Sequence, residues 1–480
     1  MKRYIRFLIG STAMAGLFLG ASSISAQEDD SKPKPAARDH SPLIEAIQAL
    51  GDQDSNRDLD STTNLNPDTS QLTGVQNPTL GTPGIRHSYW VPGFQYGNIV
   101  RSSALNQATS SGWNTTSFVA GNLSLLDAWG RALLAVNYSG GGSSSSDATQ
   151  GNSYFQQVGL VQMFDWERWQ LSFLDQFSYL PETQFGFGAG TGLSSPGISG
   201  SLAPSLPSLR NSYIPSQTIF TTFGPRYSNA FATQVAYAVS HRGSITVAGS
   251  YGILRFIRAG NIDSNNTNFS WGYNYAVTKS DTFGIQYGFS GYRYIGNPQA
   301  ISDQVVQLMY GRKITGRMAL QLFGGPDFTT FRVPVNNSSS RFSGSGGASL
   351  TYALPPGSLG LTYNHGVSGG SGVFTGATSD QLQFNLSRQL SREWVASLNF
   401  GYSRNKSVVN PAFSQKYNSW YIGGALSRPF GRNANFAFGY TAQIQTSNQA
   451  VCAAGTCSTN FTVQQITLEF QWHTRPFVLR

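Results

Sequence analysis

The chain of 480 residues has little charge, almost no cysteine and no long apolar run in its main part. Asp, Glu, Lys and Arg together make up 11% of the residues, less than half of the roughly 25% typical of soluble globular proteins. This scarcity argues against a soluble α/β enzyme, which needs charged helix faces. Two cysteines exclude a disulfide-dense secreted scaffold. After residue 26 no uninterrupted apolar run reaches about 18 residues, so no transmembrane helix is predicted.

Aromatic, glycine and uncharged polar residues take the place of the missing charge. Phe, Tyr and Trp reach 13%, and Gly occurs 53 times. The mean hydropathy is −0.23, because Ser, Thr, Asn, Gln and Gly replace charge instead of aliphatic residues. This composition favours a large, uncharged β protein that is rich in aromatic side chains.

Residues 1–26 have the features of a cleaved secretory signal peptide. Three basic residues precede an apolar stretch over residues 7–20, and small residues lead to Ala26. An uncleaved membrane anchor is the alternative, but the apolar stretch is short and acidic residues follow it. We therefore expect cleavage before Gln27 and an exported mature protein.

Residues 27–85 form an acidic segment with ten acidic and four basic side chains and many Pro, Ser and Asn residues. Such a composition predicts a largely disordered periplasmic tail. A short helix is predicted over 41–50, because Ser41 and Pro42 are start signals and Gly51 is a stop signal. The helix is either a marginal element of a linker or a docking element for a periplasmic partner.

From residue 86 onward, apolar and polar residues alternate with a period of two, which is the pattern of strands with one apolar and one polar face. Clear examples are the segments 283–290, 382–387, 394–402, 436–445 and 465–472. The runs are about 9–14 residues long, whereas soluble strands cluster at about 5–6 residues. This length is sufficient to cross a bilayer.

Two further features favour a membrane barrel over a soluble sandwich. Aromatic residues such as Trp394 and Tyr402 stand at the ends of apolar faces, as in interfacial girdles. Tight turns also alternate with long loops rich in Gly, Ser and Asn, as is typical of an outer-membrane barrel. The long loops are predicted over residues 140–152, 181–225, 333–340 and 446–460.

The alternating segments number about 18, with 16 as the alternative if the first hairpin is divided wrongly. We therefore predict an all-β fold over residues 86–480, a single transmembrane antiparallel up-and-down β-barrel. An even strand number places both termini in the periplasm of a Gram-negative type cell, and 16–18 strands leave an aqueous lumen.

In this architecture the chain resembles bacterial outer-membrane β-barrel proteins, and most of all the loosely defined β-barrel porins. The resemblance covers residues 86–480 and lies in architecture, with no specific motif. Such barrels often end in an aromatic residue that the barrel-assembly machinery reads. Here Phe477 is followed by three residues, so either Phe477 or the strand ending at Trp472 has that role, or the tail makes a late contact.

Few residues suit catalysis, so no enzyme activity, cofactor or metal site is predicted. His365 lies on a strand near the outer rim, on the outward face shared with Leu361 and Tyr363. A nucleophile would have to be Ser368, in a Gly-rich segment without a catalytic signature. A histidine of the aromatic girdle is the simpler interpretation, and no catalytic residue is assigned.

Cys452 and Cys457 lie in the last long loop, and export would place them in an oxidising compartment. No His or acidic residue stands beside them to complete a metal site. A disulfide that stiffens the loop is therefore predicted, worth about 2 kcal/mol in the chain-entropy model.

Positive charge is concentrated in residues 86–480, which carry 25 basic and 13 acidic side chains. Arg255, Arg293, Arg332 and Arg404 each continue the outward face of a strand at its outer end. They would place guanidinium groups among lipid headgroups, where lipopolysaccharide phosphates are bidentate partners. Ordinary snorkelling at a strand end is the alternative. No basic stripe with interleaved aromatics suggests nucleic acid.

Two functions fit this sequence. The first is a porin-like channel for small polar solutes, neutral or anionic because a positive barrel repels cations. The nearly uncharged loop over 181–225 would fold inward to constrict the channel, or cap it. The second is a structural or partner-bound barrel, for example a component of a polysaccharide-export assembly that docks through the tail over 27–85.

Overall fold

The computed structural model describes most of the predicted barrel region. The described residues are 88–102, 112–146, 152–180, 219, 225–240, 242–257, 261–335, 337–354, 357–391, 393–409, 415–431, 433–448 and 460–479. The signal peptide, the tail over 27–85, both cysteines and nearly all of the loop over 181–225 lie outside these residues. Among the described residues, no helix is long and apolar enough to span a membrane.

Eighteen long strands and one short strand make up nearly all of the described chain. They are β1 (Ser88–Ser102), β2 (Trp113–Trp129), β3 (Ala132–Ser145), β4 (Asn152–Asp165), β5 (Trp169–Leu180), β6 (Arg226–Ala238), β7 (Gly243–Phe256), β8 (Ser264–Ala276), β9 (Asp281–Tyr294), β10 (Ala300–Thr315), β11 (Met318–Val335), β12 (Ser338–Ala353), β13 (Gly357–Ser368), β14 (Ala377–Gln389), β15 (Val395–Ser407), β16 (Lys416–Phe430), β17 (Ala434–Ser447), β18 (Phe461–His473) and β19 (Phe477–Leu479). One 3-10 turn, Gly370–Gly372, lies between β13 and β14.

Each long strand pairs antiparallel with its neighbours in sequence, and β1 closes the ring by pairing with β18. The closing register runs from Gly93 opposite His473 to Arg101 opposite Gln465. Closure leaves no unpaired sheet edge, so every strand finds backbone partners without water. The fold is a closed 18-strand up-and-down barrel, and the prediction of 18 strands is confirmed.

The short strand β19 extends the closing seam beyond the 18-strand ring. It pairs antiparallel with the first residues of β1, from Ser88 opposite Leu479 to Trp90 opposite Phe477. The rings of Trp90 and Phe477 stack with their centroids 4.8 Å apart. The residues after Trp472 therefore hold the start of β1 in place.

Period-two alternation gives every strand an outward apolar face and an inward polar face. On β16, the outward side chains of Trp420, Ile422 and Leu426 are 40%, 45% and 37% exposed, whereas inward Ser419 and Tyr421 are buried. Large apolar side chains are exposed around the whole ring, and lipid covers such a surface. The chain is thus an integral membrane barrel of the outer-membrane type.

Tight turns join the strands at one end of the barrel, and most of the longer connections lie at the other end, which we call the outer end. The loop predicted over 333–340 is wrong, because β11 continues to Val335 and β12 begins at Ser338. Asn337 forms the hairpin turn with φ 63°, a left-handed conformation that Asn tolerates. Since β12 pairs with β13 only from Gly346 onward, this hairpin extends beyond the rim.

Candidate channel and its outer constriction

Amide and hydroxyl side chains dominate the inner wall of the barrel. The glycines and small residues between them leave no layer of bulky aliphatic groups like the one that fills a small barrel. Buried inward residues include Gln95, Gln157, Gln176, Gln234, Gln286, Gln443, Asn274, Asn405, Ser172, Ser403, Ser419, Thr246 and Thr441. Amide and hydroxyl groups offer both donors and acceptors, so the interior of the barrel is polar and largely uncharged.

An apolar patch interrupts the polar wall on β2 to β7. Its buried members are Leu126, Ala135, Val161, Met163, Leu174, Ala232 and Ala248. Leu126 is the register partner of Ala135, and Val161 that of Leu174, so these residues are direct neighbours across the strands. The patch lies toward the end with the tight turns, away from the outer mouth.

Charged side chains are few on the inward faces of the described strands, and their signs nearly balance. They are Arg101, Arg226, Lys313, Asp165, Asp303, Asp327 and Glu469, together with Arg341 on the hairpin beyond the rim. Within the described part of the chain, the surplus of basic residues in the barrel region therefore lies on the outward face and in the turns.

A hydrogen-bonded ladder of inward side chains crosses the seam where the barrel closes. Gln95 Nε2 on β1 donates to Glu469 Oε1 on β18 at 2.6 Å. On the other side of β1, Asn122 Nδ2 donates to Gln95 Oε1 at 3.4 Å, and Ser139 Oγ donates to Asn122 Oδ1 at 2.7 Å. The ladder links side chains of the four neighbouring strands β18, β1, β2 and β3. Gln95 is fully buried and provides a donor for the buried Glu469 carboxylate.

Two carboxylates and a hydroxyl form a compact acidic group on the inner wall toward the outer end. Thr329 Oγ1 lies 3.0 Å from Asp303 Oδ1 and 3.3 Å from Asp327 Oδ1, and all three side chains are buried. Above them, Tyr294, Ile301, Phe331 and Val408 form an apolar cluster. The acidic group thus lies just below the outer mouth.

The connection between β13 and β14, residues 369–376, crosses the outer mouth, and we call it the outer strap. Ile262 N donates to Gly372 O at 2.7 Å, Val408 N donates to Gly376 O at 3.3 Å, and Tyr294 OH donates to Gly369 O at 3.3 Å. Ile262 precedes β8, Val408 follows β15 and Tyr294 lies on β9. A connection that stayed outside the barrel would not reach them, so the strap is folded inward.

The strap joins walls that are half of the ring apart. Gly372 lies against Phe256 at the end of β7, while the ring of Phe374 packs edge-on against Tyr417 on β16 with centroids 5.4 Å apart. Strands β7 and β16 are nine positions apart in a ring of 18. The backbone from Gly372 to Phe374 spans only about 7 Å. The inward side chains of opposite walls therefore approach each other here and narrow the outer mouth of the barrel.

Glycine is required at two positions of the strap by both conformation and space. Gly372 has φ 78° and Gly376 has φ 91°, values that side chains rarely adopt. A Cβ at Gly372 would lie 2.5 Å from the ring of Phe256, and one at Gly376 would collide with Ile301. The sequence therefore specifies this close approach.

From the sequence, the loop over 181–225 is predicted either to constrict the channel or to cap it, and the strap is not predicted. Only Ile219 and Pro225 of that loop are described, and Ile219 is fully buried beside Phe374, Ala377 and Tyr417. A signal for the strap was available, since residues 369–376 contain four glycines and a single Phe. An aromatic residue inside a short glycine-rich connection indicates a loop that is anchored by burial.

The four predicted arginines occupy different surroundings. Arg255 on β7 donates from Nη1 to Leu254 O and Ser264 O, at 2.9 and 2.7 Å, and from Nη2 to Asn265 at 2.5 Å. Arg293, Arg332 and Arg404 are exposed at the outer ends of β9, β11 and β15. Lipid-phosphate binding stays a prediction for all four, and Arg255 already has protein partners.

His365 is part of an outward hydrogen-bonded group that sequence spacing does not reveal. Its Nδ1 lies 2.6 Å from Asp380 Oδ1 on β14, and Tyr363 OH donates to the same oxygen at 3.0 Å. Ser368 belongs to the opposite face of β13 and lies 3.3 Å from Ala377 O. The structure therefore does not bring this serine to the histidine.

No protein-family model matches the sequence, and no curated protein is similar to it. Among solved structures, OpdQ of Pseudomonas aeruginosa matches with TM-score 0.41 and 10% identity, over 81% of this chain and 98% of that one. Acinetobacter baumannii OccAB1 matches with TM-score 0.41 and 12% identity, over 84% and 99%. Pseudomonas aeruginosa OpdK, solved with vanillate, matches with TM-score 0.41 and 9% identity, over 80% and 99%.

Proposed function

We propose that the chain is an outer-membrane, porin-like channel for small polar solutes whose outer mouth is narrowed by the strap over 369–376. The observation that carries the proposal is the closed 18-strand ring with an apolar outward face and an amide- and hydroxyl-lined inward face. Lipid covers the first face, and the second suits water and polar solutes. With both termini at the end with tight turns, we place that end in the periplasm.

The inner wall supports neutral solutes more than anions. Among the described strands, the basic residues on inward faces are Arg101, Arg226, Lys313 and, beyond the rim, Arg341, and four acidic residues share these faces. A nearly balanced wall exerts little force on an ion of either sign, whereas its amides and hydroxyls replace the hydration of an uncharged polar solute. The positive charge of the barrel region would then act at the rims and at the lipid surface.

Swelling of liposomes that contain the full mature chain tests this function. Uncharged mono-, di- and trisaccharides at equal osmolarity should enter at rates that fall steeply with size, because the strap limits the mouth. Liposomes with heat-unfolded protein serve as the control. The absence of swelling with protein whose barrel is intact, as judged by heat-modifiable electrophoretic mobility, would contradict the channel.

A second variant separates the channel from the alternative function. A chain without residues 27–85 should conduct the same sugars at the same rate if the barrel acts as a simple pore. Swelling that begins only after this deletion would show that the tail closes the barrel. No swelling by either folded protein would instead favour a structural or partner-bound barrel, such as a component of an export assembly.

A further inference from the structure

A cluster of cations lies on the outward face of the barrel at the outer ends of β15 and β16. Lys406 on β15 and Lys416 on β16 are direct register partners, which places their Cβ atoms about 5 Å apart. Arg404 lies two residues before Lys406 and shares its face. Like charges directly opposite each other destabilise an antiparallel pair. An anion bound between the two lysines would remove this repulsion.

We call Arg404, Lys406 and Lys416 the outer cationic patch. Arg341 on β12 lies nearby, and its Nη1 is 3.4 Å from Thr378 Oγ1 on β14. Its register partner is the inward Thr329, so Arg341 belongs to the other face and is not part of the patch.

Among the described residues, little counter-charge faces this patch. Asp380, the register partner of Arg404, is already bonded to His365 and Tyr363. The salt bridges found in the described part of the chain do not include Arg404, Lys406 or Lys416. The sequence has no Asp or Glu over 408–415 or 448–460. With Asp380 counted against the three cations, the patch carries an excess of about two positive charges.

Aromatic side chains fix the level of the patch relative to the bilayer. Tyr402 and Trp420 lie two residues below Arg404 and Asn418 on the same outward face, and their ring centroids are 4.3 Å apart. Such aromatic pairs mark the edge of the hydrocarbon layer in membrane barrels. Arg404 is two residues and the two lysines are four residues beyond these rings, about 7 and 13 Å along the strand, which places the patch among the lipid headgroups of the outer leaflet.

We propose that the outer cationic patch binds the phosphorylated headgroup of a lipid in the outer leaflet, such as diphosphorylated lipid A. The three cations pair with the phosphate groups, and the acyl chains lie on Tyr402 and Trp420. The structure thereby selects the surroundings of Arg404 from the four arginines that the sequence indicated. The inference is independent of the channel function, because the patch lies on the opposite face of the barrel wall.

The test compares two double variants of the full chain in detergent micelles. Lys406→Gln with Lys416→Gln removes the opposed lysines. Lys279→Gln with Arg388→Gln removes two exposed cations from the end with the tight turns and serves as the matched control. For each protein, the midpoint of heat-induced unfolding is measured against the concentration of diphosphorylated lipid A, monophosphorylated lipid A, phosphatidylglycerol or inorganic phosphate.

We expect diphosphorylated lipid A to stabilise the natural protein and the control equally. The lysine variant should need about tenfold more lipid for the same shift, corresponding to the loss of one charge-assisted contact. Without lipid, the lysine variant should melt at the same or a higher temperature than the natural protein, because the cross-strand repulsion is gone.

Three results would overturn the proposal. Equal stabilisation of all three proteins by lipid would show that the patch is not the site. Inorganic phosphate that is as effective as lipid A at equal phosphate concentration would indicate a free-anion site. A lysine variant that melts lower than the natural protein without lipid would show that the two lysines hold the strands together themselves.

Discussion

Removal of the outer strap should widen the channel by an amount that the barrel geometry sets. Ser368 and Ala377 are register partners at the ends of β13 and β14. Replacement of residues 369–376 by Asn-Gly would therefore close this pair with a tight type I′ turn. The ring of 18 strands and its pairing register would stay unchanged.

The expected gain follows from the size of the ring. Eighteen strands spaced about 4.8 Å apart and tilted by about 40° enclose a circle roughly 36 Å wide, and an inward side-chain layer of about 5 Å on each wall leaves about 26 Å. The strap starts and ends on neighbouring strands, so its two backbone segments, together about 10 Å wide, extend about 12 Å into that opening and cover roughly a quarter of its area. Removal should thus raise the single-channel conductance about 1.3-fold.

Planar-bilayer recordings of the natural and strapless proteins in the same salt measure this ratio. Phe374→Ala, which removes the ring packed on Tyr417, should give an intermediate or fluctuating conductance. Phe342→Ala is the matched control, because that ring is 68% exposed on the outward face. Equal conductance for natural and strapless barrels, both shown to be folded, would refute the constriction.

Two further substitutions test the assigned faces and the seam. Leu308 is outward and 69% exposed, so Leu308→Arg should lower the free energy of unfolding in bilayers by about 2–4 kcal/mol, measured by reversible urea unfolding. The inward substitution Gln307→Arg should be tolerated in the same assay. An equal loss of stability in the two variants would mean that the faces are wrongly assigned. Gln95→Leu should cost about 1–3 kcal/mol in the same assay, because the buried Glu469 loses a donor. The buried Oε1 of Gln157 has no partner within the described structure, so Gln157→Leu should lower the free energy of unfolding less than Gln95→Leu does. A larger loss of stability for Gln157→Leu would contradict the stabilising role of the ladder.

Strand positions and faces were predictable because both follow from the local alternation of side chains. The segment over 434–446 was predicted as a strand, and the structure has Ala434–Ser447. Its outward Phe438 and Tyr440 are 41% and 40% exposed, whereas inward Thr441 is buried. Alternation encodes this division directly, since neighbouring residues of a strand point to opposite sides.

Features that depend on register were not predictable in the same way. His365 meets Asp380 only because β13 and β14 pair at that register, and fifteen residues separate them in sequence. Lys406 and Lys416 oppose each other for the same kind of reason. A pattern read along one strand does not give the offset to the next, which turn lengths and ladder hydrogen bonds determine.

The strap is not predicted from the sequence, because the length of a connection does not show whether it folds into the channel. Residues 369–376 form a short connection, and their inward course depends on positive φ angles at glycines and on the burial of Phe374 between distant strands. The close approach to Phe256 and Ile301 exists only in the closed ring. Tertiary packing therefore decides which connection narrows the mouth.

The most direct test of the channel is the current through single molecules of the full mature chain in a planar bilayer, with a salt gradient across it. We expect stable unitary steps with a reversal potential close to zero, because the described inner wall is nearly balanced in charge. Folded protein that inserts without any unitary current, or with a strong preference for one sign of ion, would contradict it.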